Sequence, residues 1–169
     1  MFLVDSHCHL DALDYVNLHK DVDDVLKKAQ ARDVKFCLAV ATTLESYQAL
    51  RAQLNGHHNV AYSCGIHPLN MEDGGNIEEL EALASDSAVV AMGETGLDYF
   101  YAKETIAQQQ RYFRHHIQLG RKLNKPVIVH TRDAREDTLA ILQEERAQEC
   151  GGVLHCFTED TATAKMPRV

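Results

Sequence analysis

Six short apolar segments alternate with helical patterns along the chain, and that alternation constrains the fold more than any other feature. The segments span residues 2 to 7, 34 to 41, 60 to 67, 88 to 94, 125 to 130 and 151 to 157. Several, such as "VKFCLAVA" and "KPVIVH", are nearly unbroken runs of β-branched and apolar residues, as strands buried on both faces require. Between them Leu18, Val22, Val25, Leu26 and Ala29 follow the 3.6-residue period, as do Leu44, Tyr47, Leu50 and Leu54. Shorter stripes fall at Ile77, Leu80 and Leu83 or Ala84, and at Leu139, Ile141 and Leu142, with a longer helix over 104 to 123. Strict alternation predicts a parallel sheet with right-handed crossovers, either a (β/α) barrel or an open doubly wound sheet. A chain of 169 residues with 45% hydrophobic content is sized for a single domain with one substantial core. It carries no sequence repeat and no low-complexity linker.

The first segment ends in "DSHCHLD". In an extended strand successive side chains point to opposite faces, so His7 and His9 share one face. Two neighbouring imidazoles are a common start for a zinc or other first-row metal site, although strand-end histidines with ordinary hydrogen-bond partners read the same way. The other polar residues decide between these. His67, Glu94, His130 and His155 each fall near the C-terminal end of a different apolar segment. In a parallel α/β fold those ends share one rim, where such folds build their sites. His19, His57, His58, His115 and His116 fall on helices and loops and are read as surface residues.

A net charge of −8 argues against a broadly phosphate-binding surface, because nonspecific nucleic-acid affinity comes from Lys and Arg displacing counterions. Any nucleic-acid contact is expected to be local and metal-centred. The 5 cysteines have no paired framework and no CxxC, so reduced thiols in the cytoplasm are expected. No basic leader followed by an apolar stretch and no membrane-length run is present.

The segments "DSHCHLD", "GIHP", "GETGLDY", "KPVIVHTRDA" and "GGVLHCF" resemble, in order, the motifs of the TatD family of metal-dependent deoxyribonucleases. The resemblance extends over roughly residues 1 to 163, with 164 to 169 a divergent tail. It implies a TIM-type (β/α) barrel of the amidohydrolase kind with two divalent metal ions (zinc, manganese or magnesium) at its C-terminal rim. His7 and His9 would bind one ion, Glu94 would bridge both and serve as the catalytic carboxylate, and His130 and His155 would bind the second. His67 and Arg132 match positions expected to face the substrate phosphate. The chemistry agrees: one carboxylate can span two cations about 3.5 to 4 Å apart, the arrangement that activates water and neutralises phosphoryl charge. Gly93 and Gly96 would permit tight backbone geometry around Glu94. Cys8 and Cys156 are read as buried thiols that point away from the ligands. Asp98 and Asp133 would either orient ligands or cap helices.

After "HCFTEDTATA" the chain reads "KMPRV" and ends. A full barrel needs at least about 200 residues, so about six of eight units are expected, in one partial-barrel domain over 1 to 169. A TatD-type protein would continue through two more strands, one bearing an aspartate for the first metal and the water proton. The expected function is therefore two-metal hydrolysis of DNA or a smaller phosphodiester, impaired in this chain. The alternatives are a catalytically inactive metal-binding remnant, and an amidohydrolase acting on an amide or ester. The strands at 2 to 7 and 151 to 157 would be open apolar edges, through which the chain would self-associate.

Overall fold

All six expected strands form, and they pair side by side in the order of the sequence. The computed structural model describes residues 1–158; the divergent tail lies outside them. The elements run β1 (Leu3–Cys8), α1 (Val22–Gln30), β2 (Val34–Val40), α2 (Leu44–Gln53), β3 (Val60–Cys64), α3 (Leu80–Ala84), β4 (Val89–Asp98), α4 (Ile106–Leu123), β5 (Val127–Arg132), α5 (Arg135–Glu144) and β6 (Gly152–Leu154). Every pairing is parallel, for example Cys37 with Val60, Met92 with Val127 and Val127 with Gly152. A doubly wound sheet reverses its strand order at a switch point, whereas this order, β1-β2-β3-β4-β5-β6, never reverses. That progression belongs to a (β/α) barrel. β1 and β6 do not pair, yet at the C-terminal rim the His7 and His155 rings stack with centroids 3.4 Å apart. The sheet has curled far enough for the ring just past its last strand to reach the ring from its first, which makes it an incomplete TIM-type barrel.

Local chemistry sets the element ends. Asp21 caps α1 by accepting from the Asp24 N–H, so the helix starts at Val22 and Leu18 lies outside it, exposed. Thr43 and Ser46 form a reciprocal capping box at the start of α2. The main core lies between sheet and helices, where Phe113 and Ile117 of α4 are fully buried with Leu80, Met92 and Val127. Val40, Ala91 and Ile128 pack together separately with Leu38. By strand alternation this second cluster is the concave interior of the barrel. No helix among the described residues is long and apolar enough to cross a membrane.

One histidine corrects the sequence reading. His116 is not a surface residue but 0% exposed. Its Nδ1–H donates to the Tyr112 carbonyl at 2.7 Å, and its Nε2 accepts from the Ile66 N–H at 3.0 Å. It therefore ties α4 to the corner after β3, the corner that carries His67.

Candidate metal centre

Glu94 is the hub of the C-terminal rim. The residue is 3% exposed and four imidazoles surround its carboxylate. His7 Nε2 and His9 Nε2 lie 3.3 and 3.6 Å from Oε2, and His67 Nε2 and His130 Nδ1 lie 3.8 and 3.5 Å from Oε1. β4 runs four residues beyond Glu94, placing it within the strand rather than at its end. Close backbone approach makes this possible. At Gly96 (φ 130°) a Cβ would stand 2.0 Å from the His130 carbonyl oxygen, and at Gly93 (φ 129°) 2.6 Å from that of Ile128, so both positions require glycine.

The hydrogen bonds on the far side of each ring fix where its proton sits. His9 Nδ1 is 2.9 Å from the Val40 carbonyl and must donate to it, which leaves Nε2 with a bare lone pair toward Glu94. His130 Nε2 is 2.9 Å from Asp98 Oδ2 and donates to that carboxylate, so a neutral His130 also turns a lone pair, on Nδ1, toward Glu94. His67 is built the other way. Its Nδ1 accepts from the Leu69 N–H at 3.1 Å, so when neutral it carries its proton on Nε2, facing Glu94.

Two of the rings thus aim acceptor atoms at an acceptor carboxylate. Only a proton or a cation between them relieves that repulsion. His7, His9 and Glu94 form one group whose donor atoms lie within 4.8 Å of one another, and His67, Glu94 and His130 form a second. The donor set suits borderline divalent ions, with imidazole nitrogens and one carboxylate. Burial pushes the Glu94 carboxyl upward, but hydrogen bonds from His130 and His7 and the nearby His67 outweigh it and hold it well below the usual carboxylate range. Burial lowers His67 to about 4. His130 is raised, because its contacts with Glu94 and Asp98 outweigh its own burial.

The remaining predicted residues fall as follows. His155 follows β6, stacks face to face on His7 and is lowered by burial and by His7; the ring beside Glu94 and His130 is that of His67. Arg132 ends β5, exposed, with its guanidinium over Phe100 and Tyr101. Cys8 donates its Sγ–H to the Leu38 carbonyl, whereas Cys156 is exposed rather than buried, because β6 stops at Leu154 before reaching it. Asp98 orients His130 and is fully buried. Asp133 caps nothing: α5 begins after Ala134 without a side-chain cap. Sequence reasoning missed the aromatic pair beside Arg132, for which "DYFY" was the available signal. A cleft of about 710 Å³ between α2 and α3 is lined by Tyr47, Arg51 and Asp86. These bond to one another and leave no unclaimed reactive group there.

Parallel strands in sequence order, with histidines and one carboxylate gathered at their C-terminal ends, define a (β/α)-barrel protein with a centre of the metal-binding kind. The chain belongs to the family of TatD related DNases, whose profile matches residues 4–167. It is 68% identical over 164 residues to the uncharacterized metal-dependent hydrolase YcfH of Escherichia coli strain K12, covering 97% of this chain and 62% of that protein. It is 37% identical over 142 residues to the 3'-5' ssDNA/RNA exonuclease TatD of Salmonella typhimurium, covering 82% of this chain and 54% of the relative. Among solved structures, the TatD homologue YJJV of Escherichia coli K12 superposes with a TM-score of 0.80 at 24% identity, over 96% of this chain and 63% of that one. A TatD family hydrolase from Entamoeba histolytica gives 0.78 at 25% identity, over 96% and 60%. The chain thus spans under two thirds of the length of these relatives.

Proposed function

We propose that this chain carries the greater part of a two-metal phosphodiesterase centre acting on DNA or a smaller phosphodiester. The observation that supports this most is that two bare ring nitrogens face Glu94, His9 Nε2 toward one carboxylate oxygen and His130 Nδ1 toward the other. His7, His9 and Glu94 would hold one divalent ion, and Glu94 and His130 the second, with His155 the further ring that the family resemblance adds. Ions bound there would lower the pKa of water and neutralise charge on the phosphoryl oxygens.

The protein's own groups do the rest. Asp98 and the Val40 carbonyl hold His130 and His9 in the tautomers whose lone pairs face the centre. His67, kept neutral by burial and protonated on Nε2, donates to a non-bridging phosphoryl oxygen without adding a charge that would repel the ions. Arg132, whose exposed guanidinium makes no hydrogen bond or ion pair among the described residues, supplies charge for an adjacent phosphate. All five thiols are free, in keeping with a reducing compartment such as the cytoplasm.

The test is hydrolysis of a short single-stranded deoxyoligonucleotide by the 169-residue chain, loaded with manganese, zinc or magnesium, alongside an aryl ester. Metal-dependent phosphodiester cleavage is expected. Ester cleavage without phosphodiester cleavage would make it an amidohydrolase, and metal uptake without either would make it an inactive remnant.

A further inference from the structure

We propose that Phe100, Tyr101 and Arg132 form a stacking platform that receives an unpaired nucleobase beside the phosphodiester at the Glu94 centre. This inference rests on the phosphodiesterase reading and assigns the residues that would seat the base next to the scissile phosphate. Phe100 and Tyr101 are 51% and 61% exposed, whereas the other tyrosine pair, Tyr47 with Tyr62, is buried. Their rings meet edge to face at 4.6 Å, and the Arg132 guanidinium lies 5.1 and 4.9 Å from the two ring centres. Cation–π contact holds all three side chains in one arrangement. The donors of Arg132 are otherwise unclaimed among the described residues.

The platform is also rigidly indexed to the metal centre. One buried carboxylate serves both: Asp98 Oδ1 accepts from the Phe100 and Tyr101 N–H groups at 3.1 and 2.8 Å, while Oδ2 accepts from His130 at 2.9 Å. Asp98 pairs with Arg132 across β4 and β5, and the Tyr99 N–H donates to the Arg132 carbonyl. Arg132 stands two residues beyond His130 on β5, about 6.6 Å along the strand. A base attached to a phosphodiester at Glu94 therefore finds two π-faces and a guanidinium within reach. Every base has a π-face, so such a platform binds without reading sequence. It also gives local affinity to a chain whose net charge of −8 supplies no general attraction for nucleic acid.

The test compares two fluorescent oligomers of equal length, oligodeoxythymidine and the same backbone with tetrahydrofuran in place of every nucleoside. Each is titrated against the 169-residue chain by anisotropy, and its hydrolysis is measured in parallel. Replacing Phe100 and Tyr101 together by Ala should weaken binding of oligodeoxythymidine by about 5- to 100-fold and of the base-free oligomer by less than about twofold. Replacing both by Leu should behave like Ala. Recovery with Leu would mean that the pair is merely an apolar cover, and equal losses on both oligomers, no loss, or no binding by the unaltered chain would each overturn the platform. Base-selective binding that depends on the platform, with no hydrolysis of either oligomer, would sink the catalytic reading and leave the platform standing. Hydrolysis of both oligomers at rates indifferent to the Ala pair would do the reverse.

Discussion

The two halves of the candidate centre sit on very different ground. Glu94 and His130 project from β4 and β5, which pair with each other and have strands on both sides; nearly all of β4 is buried. His7 and His9 project from β1 and the residue just past it, and His155 from beyond β6, strands with a single neighbour each and exposed faces. His130 on the wall is held from behind by the fully buried Asp98, and His67 by the Leu69 N–H, whereas His7 and His155 lean on each other. On the edge side only His9 is anchored from behind, through the Val40 carbonyl, and the stacked His7 and His155 rings are ordered by whatever binds beside them.

The largest expected effect divides the wall itself. Because His67 turns an N–H, on Nε2, toward Glu94 whereas neutral His130 turns a bare Nδ1 toward it, His67→Phe should cut kcat by about 10²- to 10³-fold, the scale of losing one preorganised donor, while leaving bound metal unchanged. His130→Ala should lower bound metal as well. Equal loss of metal in both variants would make His67 a ligand and reverse its assigned tautomer.

Next in size, Asp98→Asn should weaken the His130 side by about 10- to 100-fold in metal affinity, as loss of an orienting carboxylate does, and spare the His7 and His9 side. Competition titration with a chromogenic chelator reads both affinities. A uniform loss would mean that the wall and the edge are not independent.

A third prediction concerns the corner behind the wall. Burial holds His116 at about 4, against 6.5 when exposed. A folded-state pKa below the unfolded one means that the unfolded chain binds the extra proton first. The stability that neutral His116 confers is thus complete above about pH 6.5 and lost as pH falls toward about 4, on the order of 3 kcal/mol for the full titration. His67 shifts the same way. His116→Leu, which strands the Ile66 N–H, should cost about 1–3 kcal/mol at pH 7.5 and flatten, without abolishing, the acid slope in urea titrations. An unchanged slope would mean that His116 is not the titrating group.

Smallest is the contrast in backbone protection. Amides of β1 should exchange faster than those of β4 and β5 under native conditions, because β1 has one partner and little cover. If the exposed apolar edge drives self-association, Val4→Lys should shift the chain toward monomer in light scattering. Equal protection of β1, or no change in mass with Val4→Lys, would show that edge to be covered in solution.

Much of this was legible in the sequence because buried parallel strands write themselves as apolar runs, and donors at their ends then fall on one rim. The parallel sheet and the gathering of His7, His9, His67, Glu94, His130 and His155 on one rim followed from that pattern, whereas the barrel order and the ligand set came with the family resemblance. Geometry beyond the hydrophobic period was not legible. The tautomer of His67 depends on a backbone N–H two residues on, and the place of His155 beside His7 depends on how far the sheet curls. His116 was missed although Phe113, Ile117 and Gly120 share its helical face; adjacent His115 and His116 cannot both be surface residues on a helix with that stripe. The grouping of Arg132 with Phe100 and Tyr101 required the β4–β5 register, which no local pattern encodes.

The central claim is that one carboxylate, Glu94, serves two metal positions. Calorimetric titration of the metal-free chain with manganese or zinc measures it directly, using the unaltered protein beside His9→Ala, His130→Ala and Glu94→Gln. Two equivalents in the unaltered chain, about one in each histidine variant and none of comparable affinity in Glu94→Gln is the predicted result. A Glu94→Gln chain that still takes up two equivalents, or an unaltered chain that saturates at one, would contradict it.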